Sequence, residues 1–165
     1  MHAPRSLGAY GLTLLLGLFG GCGLIEKCAP PPSVSAPISV SSQCADLVNA
    51  ARASAGVAAV GVNGSLNSAA EHFSADQAQR QVMTHTGSNG SSAGDRITAE
   101  GYSWSTWAEN VAAGQPDCAS VVGAWMGSTG HRANILNPSL TEIGVGAVTG
   151  TNGVIYWTMD FATPG

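Results

Sequence analysis

The sequence predicts an α+β domain in which helices fill the first half and a single layer of sheet closes the second. Two observations carry that reading. Leu47, Val48 and Ala51, then Leu66, Ala69, Ala70 and Phe73, recur at helical spacing. Two β-rich runs, Ile143 to Thr149 and Val154 to Phe161, flank Gly150-Thr151-Asn152-Gly153, a tight-hairpin signal.

Residues 1–21 read as an export signal of the lipoprotein type: His2 and Arg5, an apolar core from Leu7 to Phe19, then Gly20-Gly21-Cys22. That core is shorter than the roughly 20 apolar residues a spanning helix needs. Cys22 would become the acylated first residue and tie the chain to a membrane. Phe19 stands where such sites usually carry Leu, and the alternative is an ordinary cleaved signal that removes Cys22 or leaves it free. Residues 22–42, with Cys28-Ala-Pro-Pro-Pro and further Ser and Val, read as an extended Pro/Ser-rich tether. Residues 43–165 are long enough for one domain with a sizeable core.

Within that domain the first helix runs from Cys44 to Ala55 and stops at Gly56. The second reaches about Met83, capped by Ser65 or by a Ser68/Glu71 capping box, and places His72 one turn from Asp76 as a surface partner. A Gly/Ser/Asn-rich loop, Gly87 to Gly94, precedes a short helix from Asp95 to Glu100 ended by Gly101. Trp107 to Ala113 is a short strand carrying Glu109. Pro116 to Ser128 is a helix burying Val121, Val122, Trp125 and Met126. His131 falls between that helix and a second short helical turn, a junction from which it can face a cleft. Trp104, Trp107 and Trp157 read as core or rim aromatics.

The chain carries 6 Lys+Arg against 10 Asp+Glu, a net charge of −4. Loss of the segment holding Arg5 would make it about −5. No basic stripe exists to hold a phosphate backbone, which excludes nucleic acid as a partner. With Cys22 acylated, Cys28, Cys44 and Cys118 remain for an oxidising compartment. A Cys44–Cys118 bridge would close a long loop, with Cys28 the odd thiol in the tether; two unpaired buried thiols are the alternative.

Four pieces, in order, resemble the bacterial branch of the CAP superfamily (cysteine-rich secretory proteins, antigen 5, pathogenesis-related proteins; SCP-like). They are Met83-Thr-His85-Thr-Gly87, Ala108-Glu-Asn-Val-Ala112, Gly130-His-Arg-Ala-Asn-Ile-Leu-Asn-Pro138 and Tyr156-Trp-Thr-Met-Asp-Phe-Ala162. The similarity extends from about Cys44 to Ala162. It implies an α-β-α sandwich with a small, mainly antiparallel sheet between helical layers. It also implies a cleft whose floor gathers His85, Glu109 and His131, which local geometry alone cannot bring together. The second glutamate of the familiar tetrad is absent, because Gly127, Ser128 and Thr129 stand there; Glu142 aligns outside the set and reads as a structural residue exposed at a strand start.

Two neutral imidazoles with one carboxylate suit a weakly held, optional divalent metal such as Zn²⁺, with Glu109 as third ligand or as the group orienting an imidazole. Such binding would fade below about pH 6 as the histidines protonate. Asn110, Ser128 and Asn134 are expected at the cleft rim; Asn110 would also satisfy backbone groups, and Arg132 and Asn134 would tie the turn after His131 to its surroundings. Gly144 and Gly146 permit close approach of another element. No Gly-x-Ser-x-Gly elbow and no His-Glu-x-x-His pair is present. The expected function is therefore a non-catalytic, exported, membrane-anchored module binding a small or lipid-like ligand or a cell-envelope component. The alternatives are a Zn-assisted hydrolase in which His85 and His131 hold the ion and Glu109 is the base, and a structural or adhesive envelope module.

Overall fold

The computed structural model describes residues 39–165; the export signal, Cys22, Cys28 and most of the tether lie outside them. Helices α1 (Val40–Ser54), α2 (Gly64–Arg80), α3 (Ala93–Ala99), α4 (Cys118–Gly127) and α5 (Thr129–Ile135) surround strands β1 (Gly61–Val62), β2 (Trp104–Ala113), β3 (Glu142–Thr149) and β4 (Ile155–Pro164). The sheet order is β1-β3-β4-β2. β3 and β4 form the expected hairpin and β2 pairs antiparallel with β4, whereas the two-residue β1, not foreseen in the sequence, lies parallel to β3. No helix among the described residues is long and apolar enough to cross a membrane.

Helix starts follow hydrogen-bond chemistry more than apolar spacing. Ser39 accepts from the Ser42 amide, so α1 begins at Val40, four residues ahead of Cys44 and inside the stretch read as tether. Asn63, rather than Ser65 or Ser68, caps α2, its Oδ1 accepting from the amides of Ser65 and Leu66. α2 ends where Gln81 turns left-handed at φ 55°, two residues before Met83. Ser92 and Asp95 form a reciprocal capping box that starts α3 at Ala93.

Alternation along the strands assigns each sheet face to a helical layer. Ile143, Val145, Trp157, Met159, Phe161 and Ala112 pack with Val48 of α1 and Val121, Val122 and Trp125 of α4 in the main core. The opposite face carries Gly144, Gly146, Asp160, Thr158 and Glu109, and α2 lies on it. A Cβ at Gly144 would stand 2.1 Å from the Leu66 carbonyl carbon, and one at Gly146 would stand 2.3 Å from the Ala70 carbonyl oxygen. The helix backbone thus rests directly on the strand, as the two glycines led one to expect.

Two long-range ties fix the other layer. Cys44 and Cys118 form a disulfide joining α1 to the start of α4 across 74 residues, a crosslink that chain-entropy arguments value at about 4 kcal/mol. Arg52, 1% exposed, has no carboxylate partner among the described residues. Its guanidinium donates instead to the carbonyls of Ala58, Ile135, Asn137 and Leu140 at 2.6 to 3.0 Å. These bonds lash α1 to the end of α5 and the loop after it.

Gly144→Ala is expected to lower unfolding free energy by about 3 kcal/mol, at the upper end of overpacking costs, because backbone rather than a flexible side chain must yield. Urea denaturation would measure it. A change under about 0.5 kcal/mol would mean that α2 can lift off β3 freely.

Candidate functional site

Two sequence-predicted residues, His85 and Glu109, meet directly. Glu109 and Asp160 are Cα partners across β2 and β4, with Gly144 opposite Asp160 on β3, so the row projects toward α2. His85 follows α2 and donates or accepts through Nδ1 at 2.7 Å from Glu109 Oε1. The other Glu109 oxygen takes a 2.5 Å bond from Arg96 Nη2. The Glu109 side chain is 2% exposed and that of His85 59%, so the pair has a buried carboxylate end and an imidazole end open to solvent.

A relay of buried polar groups puts His85 there. Thr158 of β4 accepts from Ser74 Oγ and Gln77 Nε2, each at 3.0 Å. Gln77 Oε1 in turn accepts from the Thr84 amide at 3.2 Å, fixing the residue before His85. Arg96 completes the frame: its Nη1 donates to the carbonyls of His85 and Ser91, and its guanidinium carbon lies 3.5 Å from the Phe73 ring centroid. Nothing in the sequence marked Arg96 or Gln77, since both act through contacts made only on folding.

His131 joins neither Glu109 nor His85 by a hydrogen bond among the described residues. It lies inside α5 rather than at the junction before it, because α5 begins directly after Ser128. Burial, and then the charge of His85, hold its pKa below the ordinary histidine value, so the two imidazoles sense each other's field. Among the described residues no group of three or more His, Cys, Asp or Glu side chains is arranged to hold a metal. Both Glu109 oxygens are hydrogen-bonded, Oε1 to His85 and Oε2 to Arg96. What Glu109 does fit is the orienting role, leaving His85 Nε2 outward.

The expected rim also changes. Asn134 lines a cleft of about 500 Å³ together with His85, Glu109, Trp107, Thr86 and Ser91. Asn110 does not, being fully buried; it donates to the His131 carbonyl at 3.1 Å and accepts from Asn134 at 2.8 Å. Ser128 lies at the α4–α5 joint, away from this cleft. Arg132 is exposed, and its guanidinium makes no hydrogen bond among the described residues, so of that expected pair only Asn134 makes side-chain ties. His72 pairs with Glu100 at 2.8 Å rather than with Asp76, which Arg80 and the Ser88 amide occupy. Glu142 is structural as expected but half-buried rather than exposed, accepting from the Tyr102 hydroxyl and from Asn63.

Asp160 is the residue the sequence reading missed. It is 0% exposed and neither carboxyl oxygen has a hydrogen-bond partner among the described residues. Burial, reinforced by the neighbouring charge of Glu109 and opposed by Arg96, pushes its pKa well above the carboxylate range. An acid between Met159 and Phe161, in a strand buried on both faces, was the available signal.

The sequence profile described as the Cysteine-rich secretory protein family matches residues 45–161. A curated relative, the uncharacterized protein YkwD of Bacillus subtilis, is 39% identical over 132 residues, 78% of this chain and 50% of its own. The chain therefore spans about half the length of that relative. A solved extracellular protein containing an SCP domain, from Bacillus anthracis, superposes with TM-score 0.69 at 25% identity, over 74% of this chain and 40% of that one. An outer surface protein of Borrelia burgdorferi shares the fold, with TM-score 0.65 at 22% identity, over 75% and 89% of the two chains.

Two pH dependences follow. Asp160 binds its proton more tightly folded than unfolded, so the stability it contributes is present at low pH and is lost as pH rises above about 4 toward the raised folded value. Asp160→Asn should therefore match wild type near pH 4 and exceed it at pH 7, the gap opening by at most about 1.4 kcal/mol per pH unit; denaturant midpoints at the two pH values decide it. His131 has the opposite sign, with stability lost as pH falls below about 6.5. Its imidazole resonances should accordingly titrate below that value.

Proposed function

The chain belongs to the cysteine-rich secretory protein (CAP) family, and from that premise we propose that it is an exported binding module, held at a membrane through Cys22, whose cleft retains a small ligand of the cell envelope. The extracellular character of the Bacillus anthracis neighbour supports export, as does the Cys44–Cys118 disulfide. The observation that carries the binding reading is the state of Glu109. It stands at an open cleft with one oxygen on Arg96 and the other on His85. A carboxylate so engaged holds an imidazole in a fixed orientation, with Nε2 offered outward as one polar contact among several.

A zinc-assisted hydrolase needs Glu109 free to take a proton from water and His131 beside His85 as a co-ligand. Arg96 stands against the first requirement, and the second lacks a third ligand. Divalent metal, where it binds, would be a weak adjunct of His85.

Thermal unfolding of the chain with oleate, with an N-acetylglucosamine tetramer and with Zn²⁺ separately tests the reading. At least one should raise the wild-type midpoint, reflecting about 2.7 kcal/mol of added stability at a hundredfold excess over Kd, and His85→Ala should abolish the rise. His85 is an exposed side chain, so the variant keeps the fold. No rise with any of the three would move the working surface outside the cleft, as an adhesive module requires.

A further inference from the structure

We infer that the cleft is shaped for an uncharged saccharide ring stacked on Trp107. The inference rests on the cleft-binding reading above and narrows it to one ligand class.

The first argument is an account of what the walls leave unpaired. The ionisable groups at the cleft are engaged with one another, since Glu109 takes both Arg96 and His85. Among the described residues no hydrogen bond occupies Ser91 Oγ, Thr86 Oγ1 or Asn134 Oδ1, although all three residues line the cleft. The Asn134 amide nitrogen is spent on Asn110 and on the Glu109 carbonyl, which fixes its oxygen as an acceptor. Two hydroxyls, one amide oxygen and one imidazole nitrogen form a hydrogen-bonding set suited to a polyhydroxylated ring.

Trp107 supplies the second argument. The other three indoles donate internally: Trp104 to Gly94 and Thr98, Trp125 to the Val111 carbonyl, Trp157 to the Gln115 carbonyl. The Trp107 N–H has no partner among the described residues and is not sealed from solvent. Its ring is backed by the cluster of Leu66, Ala69, Ile97 and Ala162 and braced edge-on by Trp104, with centroids 6.2 Å apart. A Cβ at Gly94 would come within 2.6 Å of the Trp107 indole nitrogen. The glycine therefore lets the indole lie where it does. A rigid half-buried aromatic with a free donor at its edge is a stacking platform, apolar on the face and polar at the rim.

Competing ligands fit less well. An acyl chain would bury Ser91, Thr86 and Asn134 without partners, at about 1–3 kcal/mol for each group left unsatisfied. An anion would find no unpaired cation on these walls and would meet a chain of net charge −4. The cleft's volume of about 500 Å³ lies within the range of small-molecule sites.

Calorimetric and tryptophan-fluorescence titrations of the chain with an N-acetylglucosamine tetramer, a galacturonic acid tetramer and oleate test the inference. The neutral tetramer should bind and shift the emission, Trp107→Ala should weaken it at least tenfold, and Trp107→Phe should restore part of the loss. Ser91→Ala, whose hydroxyl makes no bond within the described fold, should weaken it severalfold and guards against misfolding of the Trp107 variants. Binding of oleate or the anionic tetramer in a His85-dependent way, with none of the neutral tetramer, would overturn the saccharide assignment and leave the cleft reading standing. Neutral-tetramer binding unchanged in both Trp107→Ala and Ser91→Ala overturns the assignment too. Absence of binding by all three removes both.

Discussion

The backbone contact between α2 and β3 is the constraint on which the site depends. At Gly144 and Gly146 no side chain separates helix from strand, so α2 sits at a distance and rotation that only glycine permits. That seating brings Ser74 and Gln77 down onto Thr158, and Gln77 then holds Thr84. His85 is therefore placed by a chain of contacts that begins at the two glycines and passes through buried side chains, not by a loop free to choose its path. A bulkier strand would raise the helix and uncouple the imidazole from Glu109 without touching either residue.

The same close approach creates an electrostatic problem that the fold resolves unequally. Glu109 and Asp160 are buried neighbours across β2 and β4, and the one guanidinium near them, Arg96, bonds only Glu109. Arg96 pairs with Glu109, aided by the Phe73 ring on which it rests, while burial and the charge of Glu109 push the Asp160 pKa upward. A buried acid with no partner lowers stability, and apolar residues would pack the position better. Local costs of this kind concentrate at functional sites.

Much of the fold was legible because it rests on periodicity. The stripes of α2 and α4, the β3–β4 turn, the two strand glycines and the cysteine pair each leave a local or compositional mark, and each reads correctly. The errors share a cause. α1 starts early because Ser39 accepts one amide, α2 is capped by Asn63 because its Oδ1 reaches two, and His72 turns to Glu100 because Arg80 already holds Asp76. Single hydrogen bonds decide these outcomes, and apolar spacing does not report them. Glu109 and His85 were legible through family likeness alone; Arg96, 13 residues from Glu109, had no pattern to announce it.

β2 is an edge strand, and its protection explains why the cleft opens where it does. An unpaired edge offers carbonyls and amides to any passing strand. Here Trp125 of α4 donates its indole N–H to the Val111 carbonyl, and Asn134 of α5 donates to the Glu109 carbonyl. α5, and α4 through Trp125, thus engage carbonyls of β2 with side chains rather than with another strand. α5 is held against this edge by Asn110 and from behind by Arg52 at the Ile135 carbonyl, anchors independent of those that place α2 and α3. The walls bearing Asn134 and His85 therefore belong to two separately fixed layers that meet across the rim of the sheet. A space bounded in this way keeps its width when either wall's surface residues change, which lets the lining alone set what the cleft accepts.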